Sequence, residues 1–482
     1  MLDIVVLIVL AVVLPVVINK TTERGHFHFI VPYLRPIWTA ILAFFTTYIL
    51  LKPAVLEMAM SLHRRLPAWM GYPVIAVMGA ALLCAYWWIA GTMLTSNQPQ
   101  DISQSAALAE QSNAVSKLTE LGWTVKPGAD DIEFEVTNRA MPDGEQSANY
   151  LRKIYKPFRL HFQSVKSIAG LHFLADITNC TKIEINAGEI TDIQELKNFT
   201  HLNILGMSQT PINGLSIIDL SPLSSLVNLQ ELNLGGSKVT DLSSLSKLTK
   251  LRVLNLWDTP VRDLSPLADL ILLENLEVRN TGVVNLSVLT RMNALQELGI
   301  DGKQIPDLRK IANSPSLKSL RIIEQGEIDL TPVGLLTGLD HLFVWGPPHL
   351  NLTPLRTLAK LQQLEIAGRA MGGLTAITGV DALGELTELK KLSLSSLAMT
   401  DITFVSNLRQ LTEINIGMMP VSSIEPLRGL ASLTSVSLNV TSVTDISPLL
   451  QLPALTTLGV FRTPARADVL TQLERNGVTI RR

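Results

Sequence analysis

A leucine that returns every 22 residues constrains the fold more than any other feature of this chain. The first leucine of each copy, called position 1, stands at Leu229, Leu251, Leu273, Leu295, Leu317, Leu339 and Leu361, and the frame resumes at Leu389, Leu411, Leu433 and Leu455. Upstream it includes Leu202 and Cys180, which makes thirteen copies, with longer spacings of 27 residues after Leu202 and 28 residues after Leu361. A fixed period of this length predicts a solenoid, in which each short unit buries its apolar face by stacking on its neighbours.

Each copy predicts one strand followed by a tight turn. Leu229, Leu232 and Leu234 alternate with polar residues, as in a strand with one buried face. Many copies then place Ser, Thr or Glu directly before proline, as Asp263–Leu267 does. We expect a Ser or Thr hydroxyl to cap free backbone N–H groups and the proline to open a single 3₁₀ or α turn. Related segments are Ser221–Leu223, Thr331–Val333, Thr353–Leu355, Glu425–Leu427 and Ser447–Leu449.

The pattern LxxLxLxxTxVxDLSPLxxLxxL resembles the 22-residue leucine-rich repeat of bacterial internalins and of a eukaryotic phosphatase regulatory subunit. The resemblance extends from Cys180 to about Thr463. It implies an α/β solenoid, a leucine-rich-repeat horseshoe with a parallel β ladder on its concave face. It also implies a binding scaffold rather than an enzyme, but it names no partner, because such a fold serves many.

The first hundred residues contain three apolar runs. We predict transmembrane helices over residues 4–19, 36–51 and 72–94, which form a membrane domain at 1–95 and make the lipid bilayer a partner. The first run is shorter than the ~20 residues that a spanning helix needs, and a cleavable signal peptide is the alternative. No Lys or Arg precedes that run, however, and no small-residue cleavage site follows it.

The charges of the two predicted loops nearly balance. Lys20, Arg24 and Arg35 lie in one loop, and Arg64 and Arg65 lie in the other. The segment after the third run, 95–113, contains no Lys or Arg, as is typical of an exported flank. We therefore predict a bacterial inner-membrane protein with its repeats outside the cytoplasm. The opposite topology predicts a regulatory subunit facing the cytoplasm, similar to the phosphatase regulators.

The two ends of the repeat array predict covering segments, since a solenoid would otherwise expose apolar faces at its terminal coils. Residues 96–164 are interpreted as a linker and a small α/β cap, 165–463 as the solenoid and 464–482 as a C-terminal cap. The polar run Thr95–Gln104 is taken as the linker. Predicted cap elements are the helices Ala106–Leu121, Gly144–Ile154 and Ala467–Arg475 and the strands Trp123–Val125, Ile132–Thr137, Phe158–Phe162 and Val478–Ile480.

Composition excludes several function classes. The net charge is −2 and no basic stripe alternates with aromatic residues, so nucleic acid is not a predicted partner. Cys84 lies in an apolar run and Cys180 at a repeat leucine position, so both are interpreted as small hydrophobic residues. The sequence contains no phosphate-binding loop, zinc motif or nucleophile with its base. We predict no catalytic, cofactor-binding or metal site, and no enzymatic activity.

Positions 3, 5 and 7 of each copy are predicted to point away from the core, and in the middle copies they carry large residues. Such residues dominate interface energetics, so we predict that they bind a partner. Arg279 and Asp301, on neighbouring strands, are expected to pair. The candidate partner-binding residues are Trp257, Glu277, Arg279, Asp301, Arg321, Ile323, His341, Phe343 and Trp345.

The same copies break the repeat at position 11, where Val or Ile is expected. Glu327 and His349 stand there instead. One interpretation is a partner site; the other is that Ile328 and Leu350 fill the buried slot through a one-residue bulge and the aromatic residues pack on each other. The leading functional hypothesis is a membrane-anchored protein that binds a protein or cell-envelope partner. The alternative is a non-enzymatic scaffold for membrane assembly, in which the helices make the contacts.

Overall fold

The computed structural model describes residues 100–127, 132–136, 144–163, 168, 171–186, 190–208, 217–312, 314–369 and 373–482. The chain separates into two units, Met1–Ala109 and Glu110–Arg482, and every strand below belongs to the second. The three apolar runs and Cys84 lie outside the described residues. Within those residues, no helix combines the length and the apolar character that a membrane crossing requires.

The N-terminal elements confirm the predicted mixture of helices and strands. They are α1 Gln100–Glu120, β1 Thr124–Pro127, β2 Ile132–Val136, α2 Gly144–Leu151 and β3 Phe158–Gln163. The linker prediction was wrong at its C-terminal end, because α1 begins at Gln100. The residues there are mostly polar, but Gln100 and Gln104 favour a helix, so polarity alone did not indicate a linker. Helix α1 ends before Gly122, whose φ of 98° is inexpensive only for glycine.

An aromatic cluster fills the core of this N-terminal region. The Trp123 ring is 1% exposed and meets the rings of Phe134 and Phe162 edge-on, with both centroid distances 6.3 Å. Its Nε1 donates a hydrogen bond of 2.9 Å to Oγ of the buried Ser147. Strand β3 then pairs in parallel with the first repeat strand, so the sheet of this region is continuous with the repeats.

The predicted parallel ladder is confirmed. Within the described residues, seventeen strands form one sheet that is parallel throughout except for the antiparallel pair β1–β2. The buried residues are those at positions 1, 4 and 6, as expected; Leu298 is 2% and Ile300 0% exposed. The repeat strands are β4 Cys180–Asn186, β5 Ile204–Ser208, β6 Glu231–Asn233, β7 Val253–Asn255, β8 Asn275–Glu277, β9 Glu297–Asp301, β10 Ser319–Ile323, β11 His341–Trp345, β13 Gln363–Ala367, β15 Lys391–Ser395, β16 Glu413–Asn415, β17 Ser435–Ser437 and β18 Thr457–Gly459.

The return segments are 3₁₀ turns, as predicted, but their caps differ from the prediction. At Ser265–Leu267, the N–H of Ser265 donates to Asp263 at 2.8 Å, and the Ser265 hydroxyl also donates to that carboxylate at 2.6 Å. The serine is therefore a donor, and the aspartate two residues earlier is the acceptor, since a carboxylate accepts more strongly than a hydroxyl. Both hydrogen bonds lower the pKa of Asp263. The same arrangement holds at Asp219, Asp241, Asp329 and Asp401.

Position 8 adopts a left-handed backbone in many coils. Glycine, Asp or Asn occupies it in the copies of Leu229, Leu251 and Leu273. In the last copies it holds larger residues, including Val440 at φ 58°. A β-branched residue is strained in this region, because its Cβ crowds the backbone. The left-handed residues at position 8 are Gly236, Asp258, Asn280, Gly346, Ser396, Met418, Val440 and Arg462.

The longer spacing after Leu361 builds a second, two-stranded sheet. Strand β12 His349–Asn351 pairs in parallel with β14 Ala376–Thr378, beside the main ladder. Leu350 is 2% exposed and Ile328 is half-buried against the core, whereas Glu327 and His349 are exposed. The residue after position 11 therefore fills the slot fully at Leu350 and partly at Ile328, and the mutual packing of the aromatic residues stays a prediction. Nδ1 of His349 lies 3.4 Å from the Glu327 carboxylate at the surface.

A hydrogen bond of Arg369 connects two coils that are not neighbours. Nη2 of Arg369, in the copy of Leu361, donates a hydrogen bond of 2.6 Å to the carbonyl oxygen of Gln325, in the copy of Leu317. The copy of Leu339 lies between them in sequence. In addition, the buried Thr375 hydroxyl donates to the Pro347 carbonyl at 2.7 Å.

The C-terminal helix has the predicted bounds. Helix α3 is Ala467–Arg475, and Gly477 follows it at φ 88°. Strand β19 is Thr479–Arg481, one residue later than predicted, and it extends the ladder by pairing with β18.

Candidate functional site

After the long strands β4 and β5, the coils from β6 to β18 are of two kinds, which differ in strand length. The outer coils, those of β6–β8 and β16–β18, have strands of 3 residues at positions 3–5. The central coils, those of β9, β10, β11, β13 and β15, have strands of 5 residues at positions 3–7. The side of the main sheet that carries positions 3, 5 and 7 is called the ladder face below.

Strand length determines what the side chain at position 5 must do. In the outer coils the strand stops, and the N–H of position 7 needs an acceptor. Oδ1 of Asn255 accepts this hydrogen bond from Trp257 at 2.8 Å, and Asn233 and Asn415 do the same for Gly235 and Gly417. In the central coils the strand continues through position 7, so the position-5 side chain has no such task.

Glu277 takes the place of this asparagine at the junction of the two kinds of coil. It is 8% exposed, and its Oε1 accepts hydrogen bonds from the backbone N–H of Arg279 at 3.1 Å and from Nε of Arg279 at 2.6 Å. The predicted pair between Arg279 and Asp301 is therefore wrong. Arg279 contacts the carboxylate of Glu277, two residues earlier in sequence, instead of that of Asp301 on the next strand.

Gly299 makes room for this carboxylate. It lies between Glu277 and Arg321 in the sheet register. A Cβ at Gly299 would lie 2.3 Å from both carboxylate oxygens, so only glycine permits Glu277 to extend across β9. Nη1 of Arg321 approaches the far oxygen, Oε2, at 3.9 Å. One buried carboxylate thus orients two guanidinium groups.

Asp301 has a structural task. Its Oδ2 accepts the backbone N–H of Asn280 at 2.8 Å, where other coils use a backbone carbonyl. Its own N–H donates to the buried Gln304 at 2.7 Å, at the start of the ten-residue 3₁₀ helix Gly302–Ile311. Burial raises the pKa of Asp301, and Lys303, with its Nζ 3.4 Å from Oδ2, opposes this shift.

The predicted row at position 7 is only partly a row of paired strand residues. Asp301, Ile323 and Trp345 are in direct register on β9, β10 and β11. Trp257 and Arg279 follow the ends of β7 and β8 and lie in turns. Ile323, Trp345 and the neighbouring Phe343 and His341 are half-buried, whereas Trp257 is 41% exposed.

A shallow hollow of about 670 Å³ extends along the ladder face beyond these residues. Arg321, His341 and Phe343 line one part of it, and most of the rest comes from positions 3 and 5 of other copies, which the sequence interpretation did not include among the candidate binding residues. The sequence did contain an indication of these residues, because they are charged and amide residues at exposed strand positions. These additional lining residues include Glu297, Gln363, Glu365, Lys391, Glu413 and Asn415.

Comparison with known proteins agrees with this architecture. Residues 227–269 match the profile of a family described as Leucine Rich repeats (2 copies). An internalin from Listeria monocytogenes is 29% identical over 64% of this chain and 88% of its own, with a TM-score of 0.49. A leucine-rich-repeat protein of Leptospira interrogans is 16% identical, with coverage of 71% and 93% and a TM-score of 0.50, a likeness in fold alone. The chain has the leucine-rich-repeat fold, and its repeats resemble those of internalins. None of the curated proteins matches it.

Among the described residues, no three His, Cys, Asp or Glu side chains come together as a metal site. Cys180 is fully buried at a leucine position, and desolvation raises the pKa of its thiol to about 12. A thiol with such a pKa is inert, so it serves as a core residue.

Proposed function

We propose that this protein is a membrane-anchored leucine-rich-repeat protein that binds a protein or cell-envelope partner through the ladder face of its central coils. Leucine-rich repeats are binding scaffolds, which supports the general function. The three apolar runs within residues 1–95 support the anchor. The Lys- and Arg-free segment 95–113 favours repeats outside the cytoplasm of a bacterial inner membrane.

One observation carries the proposal. Ile323, Phe343 and Trp345 stand half-buried on the adjacent strands β10 and β11, on the face opposite the leucine core. The coils do not need these side chains for their core, because positions 1, 4 and 6 already fill it. Beside them lie Arg279 and Arg321, oriented by Glu277. Aromatic and arginine side chains at the centre of a patch are those that contribute most to protein–protein affinity.

The test is truncation of the central aromatic residue. Trp345→Ala should weaken partner binding by more than about 2 kcal/mol, as loss of a central hot-spot residue does. Phe461→Ala is the matched control, since Phe461 occupies position 7 of the last copy and is 49% exposed. Binding is measured by titration with a partner captured by full-length wild-type protein. If Trp345→Ala leaves affinity unchanged but lowers the melting temperature, the aromatic residues serve packing and the proposed site is wrong.

The anchor and its topology have a separate test. A reporter that is active only outside the cytoplasm should function when fused after Gln104 and fail when fused after Arg65. The reverse pattern would contradict the extracytoplasmic assignment and favour a regulatory subunit that faces the cytoplasm. Partners retained by full-length protein but lost by residues 96–482 would instead indicate an assembly scaffold acting through the membrane domain.

A further inference from the structure

The position-5 row of the central coils carries an ordered set of charges. Arg321 on β10 is in register with Phe343 on β11, and Phe343 is in register with Glu365 on β13. The side chains therefore follow one another as cation, aromatic ring and anion. Beyond Glu365 the row is neutral over the next four strands, with Ser393, Asn415, Ser437 and Gly459, and it ends at Arg481 on β19.

Both charged ends of this row are available to a ligand. The Arg321 side chain is 52% exposed, and its contact with Glu277 at 3.9 Å is too long for a hydrogen bond. Glu365 is exposed, and within the described residues no hydrogen bond or ion pair engages its carboxylate. The next charged pair on this face, Lys391 and Glu413, is already closed at 2.8 Å. In the part of the chain that the structure describes, Arg321 thus keeps only a long contact with Glu277 and Glu365 has none, whereas Lys391 and Glu413 pair with each other.

The scaffold holds the cationic end in place. Gly299 leaves the slot beside Arg321 empty of side chain, and Glu277 fills it with a buried carboxylate. That carboxylate attracts one edge of the Arg321 guanidinium and leaves the remaining N–H groups free to donate. All three row residues line the 670 Å³ hollow, so a ligand has space above them.

We infer that the partner presents an extended protein segment in which an acidic, an apolar and a basic side chain follow in that order, or in reverse, to meet Arg321, Phe343 and Glu365. This inference rests on the proposed function and specifies the chemistry of its partner. Charge-assisted hydrogen bonds form at the two ends, and the apolar side chain packs on the Phe343 ring.

The spacing of the row sets the spacing of the motif. Two strand separations place Arg321 and Glu365 about 9.6 Å apart at the backbone. An extended segment advances about 3.3 Å per residue and points every second side chain to the same face, so its acidic, apolar and basic residues follow one another at alternate positions. They span about 13 Å of backbone, and the long side chains of Arg321 and Glu365 cover the difference from about 9.6 Å.

The experiment is a selection of displayed random 12-residue peptides on full-length protein in detergent micelles. Wild-type protein should enrich peptides with an acidic and a basic residue about four positions apart around an apolar residue. Arg321→Gln should remove the preference for the acidic residue only, and Glu365→Gln the preference for the basic residue only. Arg356→Gln is the matched control, because Arg356 lies on a 3₁₀ turn and pairs with Glu385.

The affinity of one enriched peptide, measured by fluorescence anisotropy, should fall about tenfold in Arg321→Gln, because a charge-assisted hydrogen bond is lost. Enriched peptides without this charge order, or with an order unchanged in both variants, overturn the inference. If those peptides still lose affinity with Trp345→Ala, the proposed function remains. If no ladder-face substitution changes the affinity of the enriched peptides, both proposals are wrong.

Discussion

The outer and central coils share one core and differ in how they use their exposed strand positions. In the outer coils the strand stops at position 5, and Asn233, Asn255 and Asn415 accept the backbone N–H that follows. In the central coils two further residues join the sheet, and position 5 carries Arg321, Phe343 and Glu365 instead. A longer strand therefore releases a side chain from a structural task. Position 5 can therefore carry different kinds of side chain in the coils whose strand extends through position 7.

Core substitutions should destabilise the outer and the central coils to a similar extent. Leu254 and Leu298 occupy position 4 of an outer and a central coil and are both buried. Leu254→Ala and Leu298→Ala should each lower the free energy of unfolding by about 2–5 kcal/mol, because each leaves a cavity. Glu297→Ala, next to Leu298 but exposed, should change it by no more than about 0.5 kcal/mol. Denaturant unfolding measures all three, and a loss confined to one of the two leucines would contradict a shared core.

Position 5 should distinguish the regions. Asn255→Ala removes the acceptor of the Trp257 N–H and should cost about 1 kcal/mol, the net contribution of one hydrogen bond. Glu365→Ala, at the same position of a central coil, should cost less than about 0.5 kcal/mol. Equal losses in thermal unfolding would show that strand length does not set the task of this position.

The left-handed turn provides a stabilising test in the outer coils. Val440→Asn should raise the free energy of unfolding by about 1 kcal/mol, because asparagine tolerates a positive φ that costs other residues 1–2 kcal/mol. Val284→Asn is the control, since Val284 is 59% exposed but lies outside the left-handed region. A gain at both positions would trace the effect to surface polarity rather than to backbone strain.

The aspartate caps predict a pH dependence that differs between coils. The Ser265 hydroxyl and N–H lower the pKa of Asp263 in the folded protein, so its contribution is fully present above the ordinary pKa and is lost as pH falls through the folded value. Stability should therefore decrease as the pH falls below about 4. Asn285 and Asn351 already occupy the equivalent position in their coils and accept the same N–H without titrating. Asp263→Asn should make the acid-induced decrease in unfolding midpoint smaller; an unchanged decrease would contradict the assignment.

The repeat period predicted the core, the ladder and the 3₁₀ turns, because leucine spacing alone determines which faces are buried. It did not predict strand length. The leucine spacing is the same in coils with short and long strands, and the sequence interpretation treated Asn255 and Phe343 alike as exposed residues. The second sheet was missed for a similar reason, since the 28-residue spacing indicates an insertion but not what the insertion pairs with.

The sequence indicated which residues form the candidate surface, but it did not predict which of their side chains contact one another. Trp345, Phe343 and Arg321 are visible as large residues at exposed strand positions. The predicted partner of Arg279 was wrong because residues close to it in sequence were not considered. Its actual partner, Glu277, is two residues away. Gly299 is a small residue in a row of large ones, and only its distance to the Glu277 carboxylate explains it.

The hydrogen bond from Arg369 to Gln325 has a consequence for how the array opens. A solenoid normally behaves as a one-dimensional chain, in which each unit is coupled only to the next. Arg369 adds a second-neighbour coupling across the copy of Leu339, which carries Trp345. The three copies should therefore exchange their amide hydrogens as one cooperative block, while units near the termini fray singly. The part of the ladder face on these three copies should therefore fold and unfold as one unit.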